Sequence, residues 1–137
     1  MTLCLVMTST QTLQSEPVPR TILVVEDEPF IRMSTVATLQ DAGYAVLEAK
    51  DSAEALLVLA RHEEISIVVT DVRMPGPMDG LGLVPRLQQQ RPVLRALVVS
   101  ANACADDAYK AGAAAFLPKP FHAHSIVRAV TALAQAA

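Results

Sequence analysis

Four short runs of aliphatic and β-branched residues constrain this chain more than any other feature. Thr21 to Val25 (TILVV), Ile65 to Asp71 (ISIVVTD), Arg95 to Ser100 (RALVVS) and Ala113 to Leu117 (AAAFL) show almost no polar alternation. Runs of this kind fit strands buried on both faces, as in a parallel sheet with helices on either side. Tyr44 to Glu48 adds a short second strand. The intervening segments carry helix signals. Pro29 suits the first turn of a helix running to about Ala42, with Gly43 as the residue that stops it. Asp51 and Glu54 form a capping box for a helix from Ser52 to about Arg61, in which Ala55, Leu56 and Leu59 share a face. A third helix follows the loop VRMPGPMDG, from about Leu81 to Gln90, and a short fourth covers roughly Ala105 to Ala111, ended by Gly112. The last begins near His122 and carries an apolar stripe of Ile126, Val127, Val130, Leu133 and Ala134. Strict alternation of strand and helix predicts an α/β domain: a five-stranded parallel sheet, doubly wound.

Composition agrees with that class. A chain of 137 residues can bury one substantial core, and 52% hydrophobic content with only 4% aromatic residues suits helices packed closely on a sheet. The net charge is −3, and the 11 basic residues are scattered singly, so no stripe exists to neutralise a run of phosphates and no direct nucleic acid binding is expected. Cys4 and Cys104 have no C-x-x-C spacing and no histidine cluster near them, which suits free thiols in a reducing compartment. The apolar opening MTLCLVM lacks a basic segment and is too short for a signal or a membrane span, so the chain is read as soluble and cytoplasmic, with no membrane partner. Residues 1–20, rich in Thr, Gln, Ser and Pro, are expected to form a disordered tail, with Met7 an alternative start, and residues 21–137 to form the domain.

Ligands of doubly wound sheets bind beyond the carboxyl ends of the strands. Those ends carry Glu26 and Asp27, then Asp71, then Ser100, then Lys119. Singly, a strand-terminal aspartate is often only the cap of the next turn. Jointly, three carboxylates from neighbouring strands repel one another unless a cation lies among them. An oxygen-only donor set completed by water describes Mg²⁺ better than zinc or copper. A carboxylate, Mg²⁺, a hydroxyl and a lysine are the parts needed for phosphoryl transfer, in which the protein positions groups and neutralises charge. Phosphorylating Asp71 would replace one negative charge with about two, and Ser100 and Lys119 are the donors expected in reach.

The segments LVVEDE, DVRMPG, VVSAN and FLPKPF, in this order and at these elements, resemble the acidic pair, phosphoacceptor strand, switch hydroxyl and Lys-Pro motif of response-regulator receiver domains. The similarity runs from about Thr21 to Ala134. It implies a flavodoxin-like (βα)5 fold with strand order 2-1-3-4-5 and a single-domain receiver of a two-component phosphorelay. Carried over, it implies Asp71 as phosphoacceptor and direct metal ligand and Asp27 as a direct Mg²⁺ ligand. Glu26 would act on the metal through water, and the backbone carbonyl of Arg73 would supply a further ligand. Ser100 and Lys119 would bind the phosphoryl group. Phe116 occupies the place of the aromatic that turns inward on activation, a position that plain core packing fits equally well. The Lys119-Pro120 bond is expected to be cis, turning the chain while aiming the lysine at the pocket.

A sensor histidine kinase or histidine phosphotransfer protein is the implied donor, an unknown protein is the implied downstream partner of this chain, and a phosphorylation-dependent dimer stays open. The chain is not expected to be an enzyme beyond self-catalysed gain and loss of its phosphoryl group. A constitutive pseudo-receiver, a receiver fragment of a larger regulator or hybrid kinase, and a phosphatase on a similar fold are the competing readings. The last fits poorly, because Asp71 follows the third strand, whereas such phosphatases carry D-x-D after the first. Two departures from the family pattern stand out. The MPGPMDG loop is one residue longer than usual, which is expected to shift Asp79-Gly80 without touching Asp71. Ser100 and Lys119 are only 19 positions apart, about three fewer than usual, which shortens the fourth helix by nearly a turn.

Overall fold

The computed structural model describes residues 20–103 and 105–135. The expected tail up to residue 19 and both cysteines lie outside the described residues. Five strands alternate with five helices: β1 (Thr21–Val25), α1 (Pro29–Asp41), β2 (Ala45–Ala49), α2 (Ser52–Arg61), β3 (Ile65–Asp71), α3 (Gly80–Gln90), β4 (Arg95–Ser100), α4 (Ala105–Ala111), β5 (Ala115–Pro118) and α5 (Ala123–Gln135). All strand pairs are parallel, in the order β2-β1-β3-β4-β5. The expected doubly wound (βα)5 fold is therefore the one found.

The sheet separates two cores. On one face Ile22, Val24, Val69, Leu97 and Val99 pack against Val36 and Leu39 of α1 and Ile126, Val130 and Leu133 of α5. On the other, Leu23, Val25, Val68, Ala96 and Val98 meet Ala55 and Leu59 of α2, Leu83, Val84 and Leu87 of α3 and Ala108 of α4. Residues i and i+2 of a strand normally face the same side. Ile65 and Ile67 do not: Ile65 joins the second core and Ile67 the first. The pairing jumps from Thr21 with Ile65 to Ile22 with Ile67, so Ser66 is bulged out of register and the strand rotates past it. The Ser66 hydroxyl is buried without a hydrogen-bond partner.

Two expected strands start later than their hydrophobicity suggests, for the same reason. After α1, Gly43 adopts φ +99°, Gly43 N donates to Gln40 O at 2.9 Å, and Tyr44 N donates to Leu39 O at 3.2 Å. After α4, Gly112 adopts φ +110°, with Gly112 N bonding Tyr109 O and Ala113 N bonding Ala108 O, both at 3.0 Å. This paired bonding is the Schellman closure of a helix end, and it engages the residue after the glycine. Tyr44 and Ala113 thus serve the helix ends, and β2 and β5 begin at Ala45 and Ala115 rather than at Tyr44 and Ala113. At the other helix ends, Glu28 accepts from Phe30 N and Ile31 N, Asp51 from Glu54 N, and Asp79 from Gly82 N. Glu54 returns its carboxylate to Lys50 N at 2.7 Å, one residue before the cap, so the expected box is slightly wider than its usual form.

α2 closes differently, through a side chain distant in sequence. Arg91, just after α3, donates to Leu59 O (2.9 Å), His62 O (2.9 Å) and Ile65 O (3.0 Å). One guanidinium thereby satisfies the end of α2 and the start of β3. Arg91→Met should cost about 2 kcal/mol, because three partly buried carbonyls lose a charged donor. Urea unfolding with an unchanged m value would register this loss, whereas equal stability would show that water replaces the guanidinium freely.

Candidate functional site

The strand order sets the site before any side chain is considered. β1 and β3 are neighbours, and the chain leaves them toward opposite faces, so their carboxyl ends open a crevice. Glu26 and Asp27 continue β1 on one side, and Asp71 ends β3 on the other. Their carboxylate oxygens lie within 4.8 Å of one another, with Glu26 buried, Asp71 half-buried and Asp27 exposed.

Lys119 reaches this group from the end of β5. Its Nζ donates to Glu26 Oε1 at 2.9 Å and to Asp71 Oδ2 at 3.0 Å. Its backbone is anchored there by Lys119 N, which bonds Ser100 O at 3.0 Å. The Lys119-Pro120 peptide is cis, as expected. Asp71 Oδ1 accepts from Val72 N at 2.7 Å, so both carboxylate oxygens are held. Glu26 Oε2 accepts from Glu28 N at 3.2 Å. Burial raises the Glu26 carboxyl above its ordinary 4.5; Lys119 and the Glu28 N–H oppose the rise, and the Asp71 charge adds to it. Burial alone would lower the Lys119 ammonium, but hydrogen bonds and charge from Glu26 and Asp71 outweigh it and raise it above 10.5. One ammonium against three carboxylates leaves an excess of negative charge. A small divalent cation with a preference for oxygen fits that donor set.

The other expected residues are placed less directly. Ser100 is buried at the end of β4, and its Oγ accepts from Asn102 N at 3.1 Å and Ala103 N at 3.0 Å. Its oxygen is thus engaged with the loop into α4, and no bond to Asp71 is formed. Phe116 is half-buried on β5, packed against the core under α2, α3 and α4. Arg73 lies exposed in the loop after β3.

One residue of the site escaped sequence reading. Gly80, the first residue of α3, donates its N–H to Val72 O at 2.8 Å, and a Cβ there would lie only 2.0 Å from Asp71 O. The longer loop therefore does touch Asp71, contrary to expectation: it returns to press the Gly80 backbone onto the Asp71 peptide. Only the Asp-Gly pair itself, a common turn dipeptide, could have hinted at this. Gly80→Ala should destabilise the fold by about 1–3 kcal/mol, because the clash is with backbone that cannot swing aside. Gly82→Ala makes the control, since its Cβ would meet side-chain atoms alone, the flexible Met78 Cγ at 3.2 Å and Asp79 Oδ1 at an ordinary 3.7 Å. Denaturant unfolding should separate the two; equal stabilities would show that the Asp71 peptide shifts without cost.

Among the described residues no helix is long and apolar enough to cross a membrane. A family model described as response regulator receiver domain matches residues 22–131. The sensor kinase CckA of Brucella abortus is 42% identical over 107 residues, which make up 74% of this chain and 11% of that protein. The transcriptional regulatory protein PdtaR of Mycobacterium tuberculosis is 33% identical over 127 residues, 90% of this chain and 61% of that one. The chain thus spans less than two thirds of the curated relatives it matches. Among solved structures, the receiver domain of NtrX from Brucella abortus superposes with a TM-score of 0.79 at 28% identity, covering 85% of this chain and 99% of the other. The chemotaxis protein CheY4 of Vibrio cholerae gives 0.78 at 27% identity, with the same coverage.

Proposed function

The chain belongs to the response regulator receiver domain family, and from that premise we propose that it accepts a phosphoryl group on Asp71 in a Mg²⁺-dependent reaction and switches partner binding. Receiver domains are signalling modules that interact with histidine kinases and phosphotransfer proteins; one of these, in the cytoplasm, is the proposed donor. The observation that carries the reading is the Lys119 ammonium shared between Glu26 and Asp71 in a crevice with more carboxylates than cations.

In this reading an oxygen of the Asp71 carboxylate attacks the phosphorus of a phosphohistidine. The new P–O bond forms as the P–N bond breaks, and the electron pair leaves with the imidazole nitrogen. Val72 N and Lys119 hold the carboxylate by its two oxygens, so little rotation is needed on the approach. Asp71 and Asp27 would hold Mg²⁺ directly, Glu26 through water, and the Arg73 carbonyl would complete the protein's share. When bound, the ion supplies positive charge to the phosphoryl oxygens. Lys119 then pairs with the product, whose charge rises from one to about two. Ser100 turns its hydroxyl to a phosphoryl oxygen, releasing Asn102 N and Ala103 N, and Phe116 moves inward behind it.

The purified protein should gain one acyl phosphate from acetyl phosphate or phosphoramidate, read by intact mass, and only with Mg²⁺ present. Asp71→Asn should abolish it. Equal labelling in EDTA, or undiminished labelling of Asp71→Asn, would overturn the assignment.

The switching step adds a second expectation. α4 has seven residues, of which only Ala108 is fully buried, so it is held by few interactions of its own. Beryllofluoride with Mg²⁺ mimics the phosphorylated aspartate and should alter amide exchange in α4 more than in α2 or α3. Slow and unchanged exchange in α4 would send the signal through another face.

A further inference from the structure

Two carboxylates of the acidic trio are held by hydrogen bonds. Glu26 is bound by Lys119 and Glu28 N, and Asp71 by Lys119 and Val72 N. Asp27 differs: among the described residues no hydrogen bond or ion pair holds its exposed carboxylate. Its position must come from the backbone. The carbonyl of the peptide joining Glu26 to Asp27 accepts from Arg32 NH1 at 2.8 Å. The same guanidinium donates from Nε to Glu48 Oε1 at 3.0 Å, and Glu48 lies on β2, paired in register with Val24 of β1. Arg32 itself stands in the first turn of α1, where its own N–H bonds Glu28 O at 2.9 Å.

Resting on the Mg²⁺-dependent reading above, we propose that Arg32 is a positioning residue for the metal pocket, fixing the Glu26–Asp27 peptide against β2 so that Asp27 is presented to the cation. The side chain joins three elements across one peptide: the helix that carries it, the loop that carries Asp27, and the edge strand that carries Glu48. The Arg32 side chain is 20% exposed and that of Glu48 50%, so the bond to the Glu26 carbonyl is partly buried while the Glu48 end is open to water. A planar fork suits this task, since Nε and NH1 serve two acceptors at once, which a lysine ammonium on a flexible stem would hold less rigidly.

Charge and position make opposite demands on this residue. A cation beside a cation-binding pocket repels the ligand, so by charge alone Arg32→Gln should tighten Mg²⁺. If Arg32 positions Asp27, the same substitution should weaken Mg²⁺, because a directly coordinating carboxylate loses its alignment. The sign of one measurement separates the two.

The test is calorimetric titration of the unphosphorylated 137-residue chain with MgCl₂, which needs no phosphoryl transfer. It is run in about 1 M KCl, where a Debye length of about 3 Å suppresses the charge effect. Arg32→Gln should raise the dissociation constant roughly tenfold, the low end of what outer partners of metal ligands contribute. Arg32→Lys should fall between it and the parent. Glu48→Ala leaves the cation but frees its far end, so it should weaken binding by a smaller factor, and the double variant Arg32→Gln/Glu48→Ala should bind no more weakly than Arg32→Gln alone. Mg²⁺ affinity unchanged or tightened in Arg32→Gln, or fully additive losses in the double variant, would overturn the proposal. If Arg32→Gln does not fold, Arg32→Lys and Glu48→Ala decide by the same criterion. A parent chain that binds no Mg²⁺ at all would instead refute the underlying reading of the pocket.

Discussion

The Lys119 ammonium, shared between Glu26 and Asp71 at 2.9 and 3.0 Å, is the contact on which the acidic edge of this sheet depends. Two carboxylates whose side chains are 5% and 12% exposed cannot both keep their charge in so small a space without a counter-charge. Lys119 supplies it from the end of β5, two strands from Asp71 and three from Glu26, passing over the end of β4. The balance is incomplete: Glu26 remains harder to ionise than an ordinary carboxyl, and Asp27 adds a further charge outside the pair. A site left short of positive charge in this way fits a divalent ion, and in the proposed reaction the same lysine would follow a growing negative charge on Asp71 without a new residue entering.

The backbone around Asp71 is fixed as firmly as its side chain. Val72 donates to Oδ1, Thr70 Oγ1 donates to the Asp71 carbonyl at 2.9 Å, and the Gly80 backbone packs on that carbonyl from the start of α3. Pre-organisation at this level limits the rearrangement a reaction would require. Ser100 is buried and engaged elsewhere. Its oxygen holds only the first turn of the loop into α4, a helix with a single fully buried side chain. A tightly bonded acidic crevice beside a helix with few buried contacts suits the proposed switch, in which chemistry on one strand end is read out on another.

Fold class and site were legible in the sequence for different reasons. Continuous apolar runs such as TILVV mark strands covered on both sides, and a helix between each pair leaves parallel pairing as the short route back. Glu26, Asp27, Asp71, Ser100 and Lys119 could be recognised because ligands gather at strand ends, and each of these residues follows or ends a run. Helix ends were legible at Pro29, Gly43, Asp51 and Gly112. Their reach was not: the Schellman bonds take in Tyr44 and Ala113, apolar residues that hydropathy alone assigns to the strands.

The sequence by itself determined which segments are strands, which are helices and which side chains stand at the carboxyl edge, because these follow from local composition and from the geometry of a doubly wound sheet. Only the tertiary structure decided what those side chains touch. The bulge at Ser66 turns Ile65 and Ile67 to opposite faces, since register depends on the partner strand and not on the run itself. Gly80 is required because a peptide eight to nine residues earlier fills the space of its Cβ. Arg91 and Arg32 look like ordinary surface charges until folding brings the carbonyls of α2 and of Glu26 beneath their guanidinium groups. In each case the deciding partner is distant in the chain or on another element, and a bond of that kind leaves no periodic trace in the sequence.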